Sequence, residues 1–263
     1  MISEYLPGIK GLIVDMDGVL WRGAEPIGDL PEIFKRVKIM GLKVILATNN
    51  STRTVEEYLA KLSSFGVDLE AWQVITSAQA VGLQLQKEYP DGCKAYVIGQ
   101  PSLKSTLAGY GLTVFDNGEK NIHVVVASID LNLTYHKLKH AALLIRSGCE
   151  FIGTNPDATY PTPEGLLPGS GTVIGALEIA SGRKARMAGK PAPLLYKLVL
   201  ERLGLAPEET LAVGDRLETD IVGAQAAGIH TALVLSGVST QVQAHEFKLQ
   251  PEIIIRDLTE LIL

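Results

Sequence analysis

Gly11-Leu-Ile-Val-Asp-Met-Asp-Gly-Val-Leu20 is the stretch on which the fold turns. Three apolar residues, 12–14, read as a buried strand that ends on Asp15, with Asp17 and Gly18 directly after it. Two carboxylates one residue apart repel and raise each other's pKa. A chain that keeps such a pair beside a glycine at a strand end needs an offsetting charge, and a divalent cation is the simplest one.

Further runs of the same kind lie along the chain. Residues 44–47, 211–213, 231–235 and 253–255 are continuous apolar runs, as expected of strands buried on both faces. Helical patterns separate them. Asp29 stands as a cap before Ile33, Phe34, Val37 and Met40, with Gly41 as the stop. Thr54 and Glu57 have capping-box spacing before Tyr58, Leu59 and Leu62. A third helix carries Leu195, Leu198 and Val199 and ends near Gly204. Strands alternating with helices predict an α/β fold built on a doubly wound parallel sheet.

The middle of the chain holds its own set. Residues 95–98, 124–127 and 150–152 read as strands, and 77–87, 135–146 and 172–180 as helices. The chemistry-bearing motifs stop after Ser51 and resume at Lys190. A gap filled with complete α/β units predicts a second domain, inserted at 78–184, with residues 1–77 and 185–263 forming the first.

Composition narrows the function. Hydrophobic residues make up 46% of the 263, enough for a sizeable core and against disorder. The net charge of −5 and the lack of a basic run argue against nucleic acid as a partner. Cys93 and Cys149 have neither zinc nor disulfide spacing, which fits a reducing compartment. No signal peptide or membrane-length apolar run is visible, so a cytoplasmic location is expected. The five histidines show no pairing pattern and read as structural or surface residues.

Three more motifs follow strands or precede helices. Thr48-Asn49-Asn50-Ser51 offers a hydroxyl and successive backbone N–H groups at a strand end, suited to an anion. The carboxyl ends of strands are where open α/β sheets bind ligands. Gly189-Lys190-Pro191 puts a cation near a helix N-terminus, against the helix dipole, a conflict that a negative ligand would remove. Asp215 and Asp220 follow the apolar run 211–213 at a spacing that lets both approach one cation.

Acid pair, hydroxyl, lysine and second acid pair resemble, in that order, the four motifs of the haloacid dehalogenase superfamily. Asp-Gly-Val-Leu-Trp21, Thr48-Asn49-Asn50-Ser51, and Asn155-Pro156-Asp157 followed by Pro168-Gly169-Ser170-Gly171 are similar to the NagD-like group within it. That group includes 4-nitrophenylphosphatases and phosphoglycolate and pyridoxal phosphate phosphatases. The resemblance implies a Rossmann-like core with a large inserted α/β cap. It also implies a Mg2+-dependent phosphatase for small phosphorylated metabolites. Asp15 would be the nucleophile and Asp17 the general acid and base, since an alkoxide leaving group, unlike a halide, needs a proton. Thr48, Asn49 and Lys190 would hold the phosphoryl group. Asp15, Asp215 and the backbone carbonyl of Asp17 would hold the metal, and Asp220 would serve it from just outside by orienting ligands or water. Asn50, Asn155, Asp157 and Tyr160 would face the substrate, the last three from a Pro- and Gly-rich loop, 155–171. A homodimer through the cap is compatible with the resemblance. Phosphoryl transfer to a sugar hydroxyl, or a silent protein that binds a partner through its cap, are the alternatives.

Overall fold

The computed structural model describes residue 2 and residues 6–119, 121–162 and 164–263. The described chain divides into two compact units. The first contains Met1–Thr48, Val55–Ile75 and Lys190–Leu263; the second contains Asn49–Thr54 and Thr76–Gly189.

The first unit is a six-stranded sheet in the order β15-β14-β13-β1-β4-β5. Its strands are β1 (Gly11–Val14), β4 (Lys43–Thr48), β5 (Val74–Thr76), β13 (Thr210–Gly214), β14 (His230–Val234) and β15 (Ile253–Ile255). The ladder from β4 through β1, β13 and β14 to β15 is parallel throughout. From β1 the chain runs to β4 and β5 on one side, then returns to β13, β14 and β15 on the other. Strand order therefore reverses between β1 and β13, and ligands of such sheets bind outside the carboxyl ends at this point.

Local chemistry explains the helices. Asp29 accepts the N–H of Glu32 to cap Leu30–Ile39, and Gly41 beyond the end adopts φ +70°. Pro193 opens Pro193–Leu203, and Gly204 closes it in the left-handed conformation. Leu12, Val14, Leu46, Leu211 and Val213 join Ile33, Val37, Tyr58 and Leu62 in one buried cluster. A short antiparallel hairpin, β2 (Trp21–Arg22) with β3 (Glu25–Pro26), follows the Asp15–Gly18 turn.

The second unit is a five-stranded parallel sheet, β12-β9-β8-β6-β7. Its strands are β6 (Cys93–Ile98), β7 (Leu112–Phe115), β8 (Val124–Ala127), β9 (Glu150–Gly153) and β12 (Arg186–Met187). Here too the order reverses, between β6 and β8. The helices Tyr135–Arg146 and Ser170–Ser181 supply Ala141, Ile145, Val173, Ile174 and Leu177 to its core.

The segment 155–171, expected as a loop, contains an antiparallel hairpin instead. β10 (Thr159–Thr162) pairs with β11 (Gly165–Pro168). Prolines in both arms hide the strand pattern in the sequence, because a proline there removes a ladder donor and is tolerated only at edges. Among the described residues, no helix is long and apolar enough to cross a membrane.

Candidate active site

The first unit gathers charge at its topological switch point. β1 delivers Asp15, whose backbone N–H is bonded to Val213 at 2.9 Å. β13 delivers Asp215. A π-helical turn over Leu217–Ile221 delivers Asp220, with the Asp220 N–H on the Arg216 carbonyl at 3.0 Å. Turns of this kind often mark functional positions in helices. One oxygen from each of the three carboxylates lies within 4.8 Å of the others, and all three residues are buried.

Lys190 sits among them, 3% exposed. Its Nζ donates to Asp15 Oδ1 and to Asp220 Oδ1, both at 2.6 Å, and to the Ala47 carbonyl at 2.9 Å. Three buried carboxylates thus face one ammonium. With all three ionised, two negative charges remain, the charge of one divalent cation. Oxygen donors of this kind suit a hard dication. The residues fit such a metal.

The electrostatics agree. Burial pushes the Asp15 carboxyl well above its usual range, against the pull of Lys190 and with the push of Asp220 and Asp215. Burial, then Asp220, raises Asp215 to about 7. Burial disfavours charge on Lys190, but Asp15 and Asp220 outweigh it and hold the ammonium well above its ordinary pKa. Asp15 and Asp215 thus resist ionisation, a strain that a cation beside them would relieve.

Glycines make the cluster possible. An added Cβ at Gly214 would stand 2.3 Å from Cβ and Cγ of Asp220. One at Gly18, where φ is +86°, would meet Asp215 Oδ2 at 2.5 Å, and one at Gly237 would meet the same oxygen at 2.0 Å. The loop after β14 also grips Asp215 directly. Val238 N–H donates to Asp215 Oδ2 at 2.8 Å and Ser239 N–H to the Asp215 carbonyl at 3.0 Å. Ser236 Oγ ties this loop to the Gly18 carbonyl at 2.7 Å. Sequence reasoning missed Gly214, Gly237 and Val238. The available signal was a glycine following an apolar strand that ends on the same sheet edge.

Asp17 is half-buried. Its Oδ1 accepts the indole N–H of Trp21 at 2.7 Å. Thr48 is buried at the end of β4. The first unit therefore brings together Asp15, Asp215, Asp220 and Lys190, with Asp17 two residues beyond Asp15.

Asn49, Asn50, Asn155, Asp157 and Tyr160 belong to the second unit. There the segment Asn49–Thr54 is fastened to the carboxyl end of the sheet. Ser51 Oγ meets Ser128 Oγ at 2.7 Å, and Ser128 Oγ is bonded to Thr154 Oγ1 at 2.8 Å and Ser170 Oγ at 3.1 Å. Asn155 Nδ2 donates to the Asn49 carbonyl at 2.8 Å and reaches Thr154 and Ser170. Asn49 Nδ2 donates to Asp157 Oδ2 at 3.1 Å, and Asn50 Oδ1 closes a local turn onto Thr52. Gly189 is required here, because a Cβ would lie 2.5 Å from Asn49 Oδ1 and from the Thr154 carbonyl. Tyr160 lines an apolar cavity of about 270 Å³ with Leu133, Leu167 and Val173. The Asn155 amide thus fastens the fold, a role the sequence did not reveal.

Residues 12–113 match the family model described as haloacid dehalogenase-like hydrolase, and residues 187–261 match a second HAD-hydrolase-like model. An acid sugar phosphatase of Staphylococcus aureus is 33% identical over 253 residues, 96% of each chain. A solved 4-nitrophenylphosphatase of Thermotoga maritima superposes with a TM-score of 0.91 at 33% identity, covering 98% of both chains. A glycerol phosphate phosphatase of Mycobacterium tuberculosis, solved in complex with magnesium, gives 0.90 at 33% identity, covering 98% of this chain and 78% of that one. NagD of E. coli gives 0.87 at 32% identity, covering 96% and 98%.

Proposed function

Because the chain belongs to the haloacid dehalogenase-like hydrolases and is a NagD-like phosphatase, we propose that it hydrolyses small-metabolite phosphate monoesters with Asp15 as nucleophile and Mg2+ as its cation. The observation that carries this reading is the placement of Asp15. It lies at the switch point, paired to Lys190, in a buried cluster of three carboxylates.

In this reading Asp15 attacks phosphorus and forms an aspartyl-phosphate. Lys190 opposes the burial that disfavours an ionised Asp15 and, with Thr48 and Asn49, holds the phosphoryl oxygens. Asp17 gives its proton to the departing alkoxide, then takes one from the water that hydrolyses the aspartyl-phosphate. The two aspartates have different surroundings, as their different tasks require: Asp15 is buried against an ammonium, and Asp17 is half-buried against an indole. Asp15, Asp215, Asp220 and the Asp17 carbonyl would hold Mg2+, which when bound supplies charge stabilisation for the phosphoryl group. Catalysis is then positioning plus electrostatics.

The second unit serves as the cap in this proposal, and Asn50, Asn155, Asp157 and Tyr160 bear on substrate choice and on none of the reacting groups. Sugar, glycerol or glycolate phosphates are the substrate class, in keeping with relatives named for sugar and glycerol phosphates. A cytoplasmic location is supported by the two unpaired cysteines. A homodimer through the cap belongs to the same proposal.

The test is phosphate release from 4-nitrophenyl phosphate. Activity should need Mg2+, vanish in chelator and be absent in Asp15→Asn. Full turnover after exhaustive metal removal, or turnover by Asp15→Asn, would overturn the reading. A mixed-acceptor assay that finds a phosphorylated sugar in place of free phosphate would favour transfer over hydrolysis.

A further inference from the structure

Trp21 is wholly buried, 0% exposed, although it follows a turn rich in polar groups. An indole N–H so placed needs an acceptor. It finds Asp17 Oδ1 at 2.7 Å. The turn that links them is closed by the Gly18 N–H on the Trp21 carbonyl at 2.8 Å and the Leu20 N–H on the Met16 carbonyl at 2.9 Å.

The ring itself is held from several sides. It stacks on Tyr58 with centroids 6.4 Å apart and planes 18° apart, and meets Phe65 at 6.0 Å. Lys61 Nζ lies 3.9 Å from the ring centroid and donates to the Gly23 carbonyl at 2.8 Å. An ammonium over an indole face is attracted by the ring quadrupole. The helix Val55–Ser64, which carries Tyr58 and Lys61, therefore fixes the indole, and the indole fixes one oxygen of Asp17.

We propose that Trp21 is a positioning residue for proton transfer by Asp17, distinguishing the two carboxyl oxygens by an N–H that can only donate. The inference rests on the reading of Asp17 as general acid. Oδ1 accepts the indole N–H, so the exchanged proton is assigned to Oδ2 in this proposal. As Asp15 forms its bond to phosphorus, the bond from phosphorus to the ester oxygen breaks. Its electron pair goes to that oxygen, which takes the proton from Oδ2. In the second half-reaction the water oxygen bonds to phosphorus as the bond from phosphorus to Asp15 breaks, its electron pair returning to the Asp15 carboxylate; Oδ2 recovers the proton that the water gives up, and the Trp21 N–H stays in place throughout.

The test compares esters by their need for the proton. Phenyl phosphate has a poor leaving group and 4-nitrophenyl phosphate a good one. Trp21→Phe keeps an aromatic ring beside Tyr58 and Lys61 and removes the donor. It should lower kcat/KM roughly 10–100-fold on phenyl phosphate, within the range of general acid catalysis and of small misplacements, and less than about threefold on 4-nitrophenyl phosphate. Asp17→Asn should show the same leaving-group dependence more strongly. The double variant should be no worse than Asp17→Asn alone, since a residue acting through another adds nothing once that partner is gone. Should Trp21→Phe fold poorly, 3-benzothienylalanine introduced at Trp21 keeps the shape and lacks only the N–H. Equal losses on both esters, no loss, or additive losses in the double variant would overturn the role of Trp21. If Asp17→Asn shows leaving-group dependence in that case, the general-acid reading stands without Trp21. If Asp17→Asn itself shows none, that reading falls and the inference with it.

Discussion

The two units place very different chemistry at the same kind of topological switch point. Each is a parallel sheet whose strand order reverses once, between β1 and β13 in the first and between β6 and β8 in the second. The first collects Asp15, Asp215, Asp220 and Lys190 at the carboxyl ends of its strands. The second collects Ser128, Thr154, Asn155 and Ser170, and closes them on Ser51 and Asn49. Hydroxyls and amides both donate and accept, so a group of them satisfies itself. Carboxylates accept only, and three of them around one ammonium leave charge unmatched. The fold offers a crevice in both cases, and the residue types decide whether it needs a ligand or fills itself.

Four experiments bear on that contrast. The largest effect is expected from Lys190→Met, which leaves the carboxylates without their internal cation. Removing one partner of a buried pair costs about 3–5 kcal/mol. Chemical denaturation of the metal-free protein should show a loss of this order, partly recovered by Mg2+. An unchanged stability would mean that the cluster is protonated and neutral without the lysine.

Next comes the glycine cradle. Gly237→Ala puts a Cβ against the Asp215 carboxylate, 2.0 Å from Oδ2 before relaxation. Displacing a group that orients a metal-binding carboxylate costs roughly 10–100-fold in metal affinity. Titration with Mg2+, followed by calorimetry, measures it. An unaltered affinity would show that Asp215 does not bind the ion.

The third is pH. Asp215 is raised to about 7, so a bound cation must displace its proton below that value. Affinity for Mg2+ should be about tenfold weaker at pH 6 than at pH 8, by the mass action of one proton. The metal-free protein carries the opposite sign. A carboxyl raised on folding contributes stability that is full below its unfolded pKa and lost as pH rises through about 7. Midpoints of thermal unfolding with and without Mg2+ should therefore diverge as pH rises from 5 to 8.

The smallest effect belongs to the second unit. Ser128→Ala removes one member of the hydroxyl and amide network and should cost about 1 kcal/mol of stability. Mg2+ affinity should not change. A Mg2+ effect as large as that of Gly237→Ala would erase the distinction between the two crevices.

Much of this was legible in the sequence because burial on both faces writes continuous apolar runs. The strands at residues 12–14, 44–47, 124–127 and 253–255 declared themselves in this way. β7, β10 and β11 did not. β7 is an edge strand of mixed burial, and prolines interrupt the hairpin. The charged members of the site were legible because buried acids and lysines are costly and stand out at strand ends. Its neutral supports were not. Gly214 and Gly237 act by the absence of a Cβ, Val238 by its backbone N–H, and Ser128 and Ser170 by contacts over forty residues apart. No local pattern records a pairing of that range.

The segment Asn49–Thr54 has a consequence for modular exchange. The chain leaves the first unit after Thr48, returns at Val55, leaves again after Ile75 and returns at Lys190. The second unit is therefore assembled from two pieces of sequence, one of them six residues long and embedded between a strand and a helix of the first. A chimera that grafts only the long piece from a relative would strand Ser51 and Asn49 among foreign partners. Recombination that preserves both units must carry the short piece along, so substitutions in Ser51 and in Ser128, Asn155 or Ser170 should be compatible only as sets.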